Sequence, residues 1–256
     1  MIPMKSGQDL KRMRESGRLA AEVLLRLEDR VRPGVTTGEL DRLAYDTVIR
    51  ADAKPAFLGY HGFPATICSS VNEQVVHGIP SDEIELVDGD IVSVDVGVLY
   101  KGFYGDNART YAIGSISPET RELLKVTHES LLIGIGTLRA DVRLGEMSYA
   151  VQRHVEDHGF SVVRQFVGHG IGRKLHEDPQ VPNFGLREDG PILKAGMVLA
   201  VEPMVNAGSH SVNTLDDGWT VVTADGKPSA HFEYTVAILS DGVEILTDWD
   251  SALDRV

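Results

Sequence analysis

Apolar residues at Leu19, Ala20, Val23, Leu24 and Leu27 recur at the spacing of one face of an α-helix. That face ends near Arg32-Pro33-Gly34, where proline and glycine break helical geometry. A second helix is expected from Thr36-Thr37, with Thr37 as its cap and Glu39 in its first turn, to about Ala51. The period then changes. Residues 65–115 read as β structure: in "DIVSVDVGVLYKGFYGDNARTYAI" apolar and polar positions alternate, with a break at Lys101-Gly102. Helical spacing returns from Ser117-Pro118 to about Leu138, and again from Leu144 to His158. From Phe160 onward the chain reads as strands and loops. Within that region, "FVGHGIGRKLHEDP" (166–179) carries His169 and His176 seven residues apart, or two turns of a helix. Gly168, Gly170, Gly172 and Pro179 argue against a helix there and for a tightly folded strand and loop.

The order helix, helix, strands therefore occurs twice, and the sequence repeats with it. "RPGVTTGEL" (32–40) matches "RADVRLGEM" (139–147), and "LVDGDIVSVDV" (86–96) matches "LKAGMVLAVEP" (193–203). The same displacement of 107 residues separates Arg32 from Arg139 and Leu86 from Leu193. Two copies are too few for a solenoid, so the expectation is one domain, residues 1–256, with pseudo-twofold halves at roughly 10–115 and 117–245.

The repeat aligns Asp95 with Glu202, each closing an apolar run, "IVSVD" and "VLAVE". A carboxylate on a buried strand is costly unless it is paired or bound to a cation. A turn near Tyr100-Lys101 would bring Asp106 roughly opposite Asp95, where like charges repel. Glu233, in "HFEYTVAIL", repeats the pattern. Basic residues are scarce on these strands, Arg109 being the nearest candidate for a salt bridge. Four carboxylates suit two divalent cations, with His169 as a nitrogen ligand; such a site suits Mn, Fe, Co or Zn without choosing among them.

Composition narrows the classes. The 256 residues are 42% apolar and 25% charged, ordinary values for a soluble protein. The net charge of −13 argues against broad nucleic-acid binding, which needs clustered Lys and Arg. A single cysteine, Cys68, excludes an internal disulfide and suits a reducing, cytoplasmic setting. The polar N-terminus lacks a signal core, and no apolar run is long enough to span a membrane. "GHGIG" lacks the strand and helix context of a dinucleotide loop, no GxSxG elbow is present, and nothing marks Cys68 as a nucleophile.

Five stretches together carry a resemblance: "CSSVNEQVVHGIP" (68–80), "DVG" (95–97) with "GDNART" (105–110), "GHGIGRKLHEDP" (168–179), "VEPMVNAG" (201–208) and "HFEYT" (231–235). With these the chain resembles the type I methionine aminopeptidases, in their short bacterial form, over essentially its whole length. The resemblance implies the α+β pita-bread fold: two αβ halves with a curved antiparallel sheet, helices packed on one face, and a dinuclear metal centre. It implies removal of N-terminal methionine from nascent chains with a small second residue, using a metal-held water. Asp95, Asp106, His169, Glu202 and Glu233 resemble the ligands, Asp106 and Glu233 bridging two ions, and Glu202 also resembles the general base. His77 resembles the residue near the substrate amine and scissile amide, and His176 the one that bonds the carbonyl as it becomes an oxyanion.

The methionine pocket implied by the resemblance uses Phe57, Tyr60, His61, Phe63, Cys68, Leu175 and Trp219, with walls that suit a polarizable thioether. The glycines around His169 would let the backbone pass close to the bound peptide. Leu175 stands where many relatives have Phe, and Tyr234 where His is usual. A monomeric catalytic domain, without a zinc-binding or ribosome-docking extension and in transient contact with the ribosome, is the expected form. Proline-specific dipeptidases and aminopeptidase P share the fold but usually carry a large N-terminal domain. A binding protein that had lost the chemistry would also have lost ligands.

Overall fold

Each helix begins where the sequence can satisfy its free amide groups. The computed structural model describes residues 2–248. Helix α1 (Gly7–Glu28) starts at Ser6, whose hydroxyl accepts from the amide of Asp9 while the Asp9 carboxylate accepts from the amide of Ser6. The anticipated apolar face extends back to Leu10 and Met13, and Leu24 and Leu27 are fully buried. Burial of each leucine side chain stabilises by roughly 1.5–3 kcal/mol. Helix α2 (Thr37–Arg50) is capped by Thr36, in a reciprocal box with Glu39, and not by Thr37. Thr37 is buried instead, its hydroxyl donating to the carbonyl of Ser81. Helices α3 (Pro118–Thr137) and α4 (Gly145–Asp157) follow the expected spacing.

Among the described residues, nine strands form one antiparallel sheet. Its middle runs in the order Ile67–Val71, Ile91–Tyr100, Phe103–Ala112, Glu233–Ile238, Val198–Val201, Gly168–Gly170. The strand nearest the C-terminus of the sheet's central set thus pairs with a strand from the first part of the chain. Tyr100 and Phe103 close a two-residue hairpin whose Lys101 and Gly102 both have positive φ, 49° and 81°, as a primed turn requires.

Alternation sorts the residues of this sheet. Val92, Val94, Val96 and Val98, with Tyr234, Val236 and Ile238, join the large core shared with all four helices. Ser93, Asp95 and Gly97 therefore face the other way. Tyr234 belongs to the helix side, where its ring lies 6.5 Å from that of His128, and it is turned away from Glu233.

Backbone contacts around α2 recur around α4. The amide of Leu86 donates to Val35 and that of Leu193 to Val142; the amide of Thr37 donates to Ile84 and that of Leu144 to Pro191. The bridges Thr36–Glu85 and Arg143–Ile192 match in the same way. Partners in each pair of contacts are displaced by the 107 residues seen in the sequence.

Candidate active site and metal centre

Two neighbouring rungs on the concave face of the sheet assemble the site. One rung runs Cys68, Asp95, Ala108, Glu233 across four strands. On the other, two residues along, Gly97 pairs with Asp106, and farther across the sheet Ala200 pairs with both Thr235 and His169. Asp95 is therefore opposite Ala108, not opposite Asp106 as the turn position alone suggested; Asp106 is its diagonal neighbour on the same face. The reason is the turn, which centres on Lys101-Gly102 and moves the register by two residues from that expectation. Glu202 follows directly on Val201, which pairs with Tyr234, and so arrives beside Glu233.

All five residues read as ligands line one cavity of about 180 Å³. His77, His176, Phe57, Tyr60, Phe63, Cys68, Leu175 and Trp219 line it too. His61 does not: it is exposed, and its ring meets that of Tyr60 edge-on at 4.4 Å. Phe166, absent from the sequence-predicted set, supports His77, with ring centroids 5.6 Å apart. Gly97 is required here, because a Cβ would lie 2.6 Å from the ring of Phe57.

The glycines around His169 answer to the protein's own backbone. A Cβ on Gly168 would meet the carbonyl oxygen of Ala200 at 2.3 Å, one on Gly170 that of Asp178 at 2.1 Å, and one on Gly172 the side chain of Lys5 at 2.4 Å. Close packing of neighbouring backbone excludes side chains at Gly168 and Gly170, whereas at Gly172 the atoms met are the ends of the Lys5 and Glu177 side chains. Lys5 Nζ and Glu177 Oε2 form a buried ion pair at 2.6 Å beneath the loop that carries Leu175 and His176.

The electrostatics demand a cation. Asp106, His169 and Glu233 each bring a ligand atom within 4.8 Å of the others. Asp95 Oδ1, Asp106 Oδ1 and Glu233 Oε1 are buried without a hydrogen-bond partner. No Lys or Arg is among the residues lining the cavity. Arg109 is directed to Glu28, at 2.8 Å, and stacks over Tyr111. Burial, then the neighbouring carboxylates Asp106 and Glu202, push the carboxyl of Asp95 far above its usual range. Burial raises Asp106 to about 7, and burial followed by the field of Asp106 raises Glu202 and Glu233. Such a cluster ionises fully only around positive charge.

The histidines of the cavity are held neutral near pH 7. Burial, reinforced by His176, lowers His169 to about 3. Its Nδ1 lies 3.0 Å from the carbonyl of Gly170 and donates to it, so Nε2 turns its lone pair toward Asp106 and Glu202, 3.8 and 3.5 Å away. His77 is lowered to about 4, again by burial first, and has a left-handed backbone with φ of 60°. That conformation is uncommon for any residue with a Cβ and concentrates at functional positions.

Known proteins resemble the chain over nearly its whole length. Residues 11–240 match the sequence pattern of metallopeptidase family M24, and the chain belongs to that family. Among its relatives, the methionine aminopeptidase of Clostridium perfringens is 57% identical over 247 residues, covering 96% of this chain and 99% of the relative. That of Escherichia coli is 47% identical, covering 96% and 94%. The crystal structure of methionine aminopeptidase from Thermotoga maritima superposes with a TM-score of 0.96 at 45% identity, over 97% of this chain and all of that one. The fold is thus the α+β pita-bread fold. The Xaa-Pro dipeptidase of Bacillus anthracis shares it at a TM-score of 0.77 and 22% identity, and this chain spans 62% of its length.

Proposed function

We propose that this chain removes the N-terminal methionine from proteins and peptides whose second residue is small. The observation that carries the reading is one cavity with an acid- and histidine-lined end and an apolar, aromatic end, in a chain so similar to methionine aminopeptidases throughout its length. Phe57, Phe63, Cys68, Leu175 and Trp219 take the thioether side chain by burial and sulfur–aromatic contact. The rest of the peptide leaves along an open groove that shares His169 and His176 with the cavity and continues past Val167, Lys174 and Gln180.

The donor set fits divalent metal ions, because unpartnered buried carboxylate oxygens surround a neutral imidazole nitrogen. Asp95, Asp106, His169, Glu202 and Glu233 would hold two of them; Mn, Fe, Co and Zn all suit such ligands. When bound, the ions supply Lewis acidity at the scissile carbonyl and a water of lowered pKa. Glu202 would serve as the general base of the reaction. His176 donates to the carbonyl oxygen as charge develops there. His77 contacts the amide that is cut. The matching contacts around α2 and α4 support an origin in two related halves within one domain.

No helix among the described residues is long and apolar enough to cross a membrane. A cytoplasmic monomer that meets its substrates at the ribosome agrees with this and with a substrate that is a nascent chain. Release of free methionine from Met-Ala-Gly-Gly, with Ala-Pro-Gly-Gly left uncut, tests the reading. Cleavage of the proline peptide alone would transfer the chain to the proline-specific relatives.

A further inference from the structure

His231 stands outside every role assigned above. It ends the short strand Ser229–His231, two residues before Glu233, and is 1% exposed. Its backbone is pinned on both sides: its amide donates to the Thr110 hydroxyl at 2.9 Å, and that hydroxyl donates to its carbonyl at 2.8 Å. Pairing with Met204 holds it from the other edge. Its Nε2 is nevertheless buried without a hydrogen-bond partner. A carboxylate oxygen within reach is Oε2 of Glu202, 3.7 Å away. The other oxygen of the same carboxylate, Oε1, lies 3.5 Å from Nε2 of His169. One glutamate is therefore placed between two imidazoles, one at each oxygen.

We propose that His231 is a positioning residue for Glu202, donating from Nε2 to Oε2 and thereby turning Oε1 toward the ligand cluster. The proposal rests on the site reading above. A rotation of the Glu202 side chain that shortens the gap to the ~2.7–3.2 Å of an N–H···O bond satisfies the buried ring nitrogen and leaves the backbone in place. A carboxylate free to rotate presents either oxygen to a cation, whereas one held at Oε2 presents a defined one. Hydrogen bonds to metal-ligating carboxylates commonly change metal affinity or activity by ~10–100-fold when removed.

The test uses the full chain and three substitutions. His231→Met removes the donor at similar length. His231→Gln keeps an N–H at the position of Nε2 without an imidazole. His231→Asn is polar but too short to reach Oε2. Mn²⁺ affinity is measured by calorimetry on each metal-depleted protein, and kcat and KM on Met-Ala-Gly-Gly. His231→Met should bind Mn²⁺ and turn over ~10–100-fold more weakly with KM changed less than ~3-fold, and His231→Gln should recover both. If His231→Met fails to fold, as read by near-ultraviolet circular dichroism, His231→Asn carries the same expected loss. Unchanged Mn²⁺ affinity and kcat in the variants without a reaching donor would overturn the proposal, as would a His231→Gln that falls as far as they do. Should the wild-type chain cut no methionyl peptide, the functional reading falls, while the Mn²⁺ titration still decides the role of His231.

Discussion

The hydroxyl of Tyr60 lies 2.7 Å from Nδ1 of His176. Burial raises the pKa of Tyr60 and, with His61 as the lesser cause, lowers that of His176, so both are neutral near pH 7. With the hydroxyl donating to Nδ1, the ring proton resides on Nε2, the tautomer able to donate to a substrate carbonyl. Tyr60→Phe removes a hydrogen bond worth on the order of 1 kcal/mol, so kcat should fall ~5-fold with KM nearly constant. Steady-state kinetics with Met-Ala-Gly-Gly check this, and an unchanged kcat counts against the tautomer argument.

His77→Ala and His176→Ala should each lower kcat by ~10²–10³, the scale of losing one transition-state hydrogen bond. Both should retain the wild-type metal content, because neither ring belongs to the proposed ligand set. Elemental analysis of the purified variants decides the point; loss of stoichiometric metal would make either histidine a ligand.

Glu202→Gln should abolish turnover even at saturating metal, because the amide neither carries the ligand charge nor accepts a proton. Near wild-type activity in this variant would remove Glu202 from the chemistry.

In the metal-free protein the raised carboxyls retain protons around neutrality, Asp106 with a pKa of about 7. Cation binding must displace them, whereas His169, lowered to about 3, is already deprotonated. Apparent metal affinity should therefore rise as pH increases through 7, with proton release detectable as a dependence of binding heat on the buffer. Affinity that is flat between pH 6 and 8 would mean that the carboxyls are ionised before the metal arrives.

Selection at the first residue should follow shape. One methylene in an apolar pocket is worth ~1–3 kcal/mol, so norleucine should replace methionine well, leucine poorly and charged residues not at all. At the second position Gly, Ala, Ser and Thr should be accepted, and Lys, Arg, Leu and Phe refused. Leu175 is buried in the pocket wall, so Leu175→Phe should narrow the range of accepted first residues. A Met-Xaa-Gly-Gly panel compared by kcat/KM measures this, and equal rates for Ala and Leu as Xaa would refute the size rule.

Much of the site was legible because an acid on an apolar strand is a conspicuous exception. Asp95 and Glu202 stand out through "IVSVD" and "VLAVE", and the 107-residue displacement ties them together in the sequence itself. What stayed hidden depends on register and packing. The diagonal relation of Asp95 and Asp106 follows from a turn whose position shifts the pairing by two residues. The crowding of Gly168 by Ala200 and of Gly172 by Lys5 arises from segments distant in the chain, which no local pattern reveals. Thr36 and Thr37 are equally good caps by residue type; Glu39, three residues after Thr36, completes the box with it, while Thr37 is buried against Ser81. His231 had one available signal, its place two residues before Glu233 on an apolar strand, but its approach to Glu202 is a tertiary fact.

The proposed metal centre of buried carboxylates and His169 would cut behind an N-terminal methionine. Its most direct test is the metal-depleted chain incubated with Met-Ala-Gly-Gly and with the same peptide N-acetylated, before and after addition of Mn²⁺. No methionine release is expected without metal, release from the free peptide once Mn²⁺ is present, and none from the acetylated one. Undiminished release from the metal-depleted protein would contradict it.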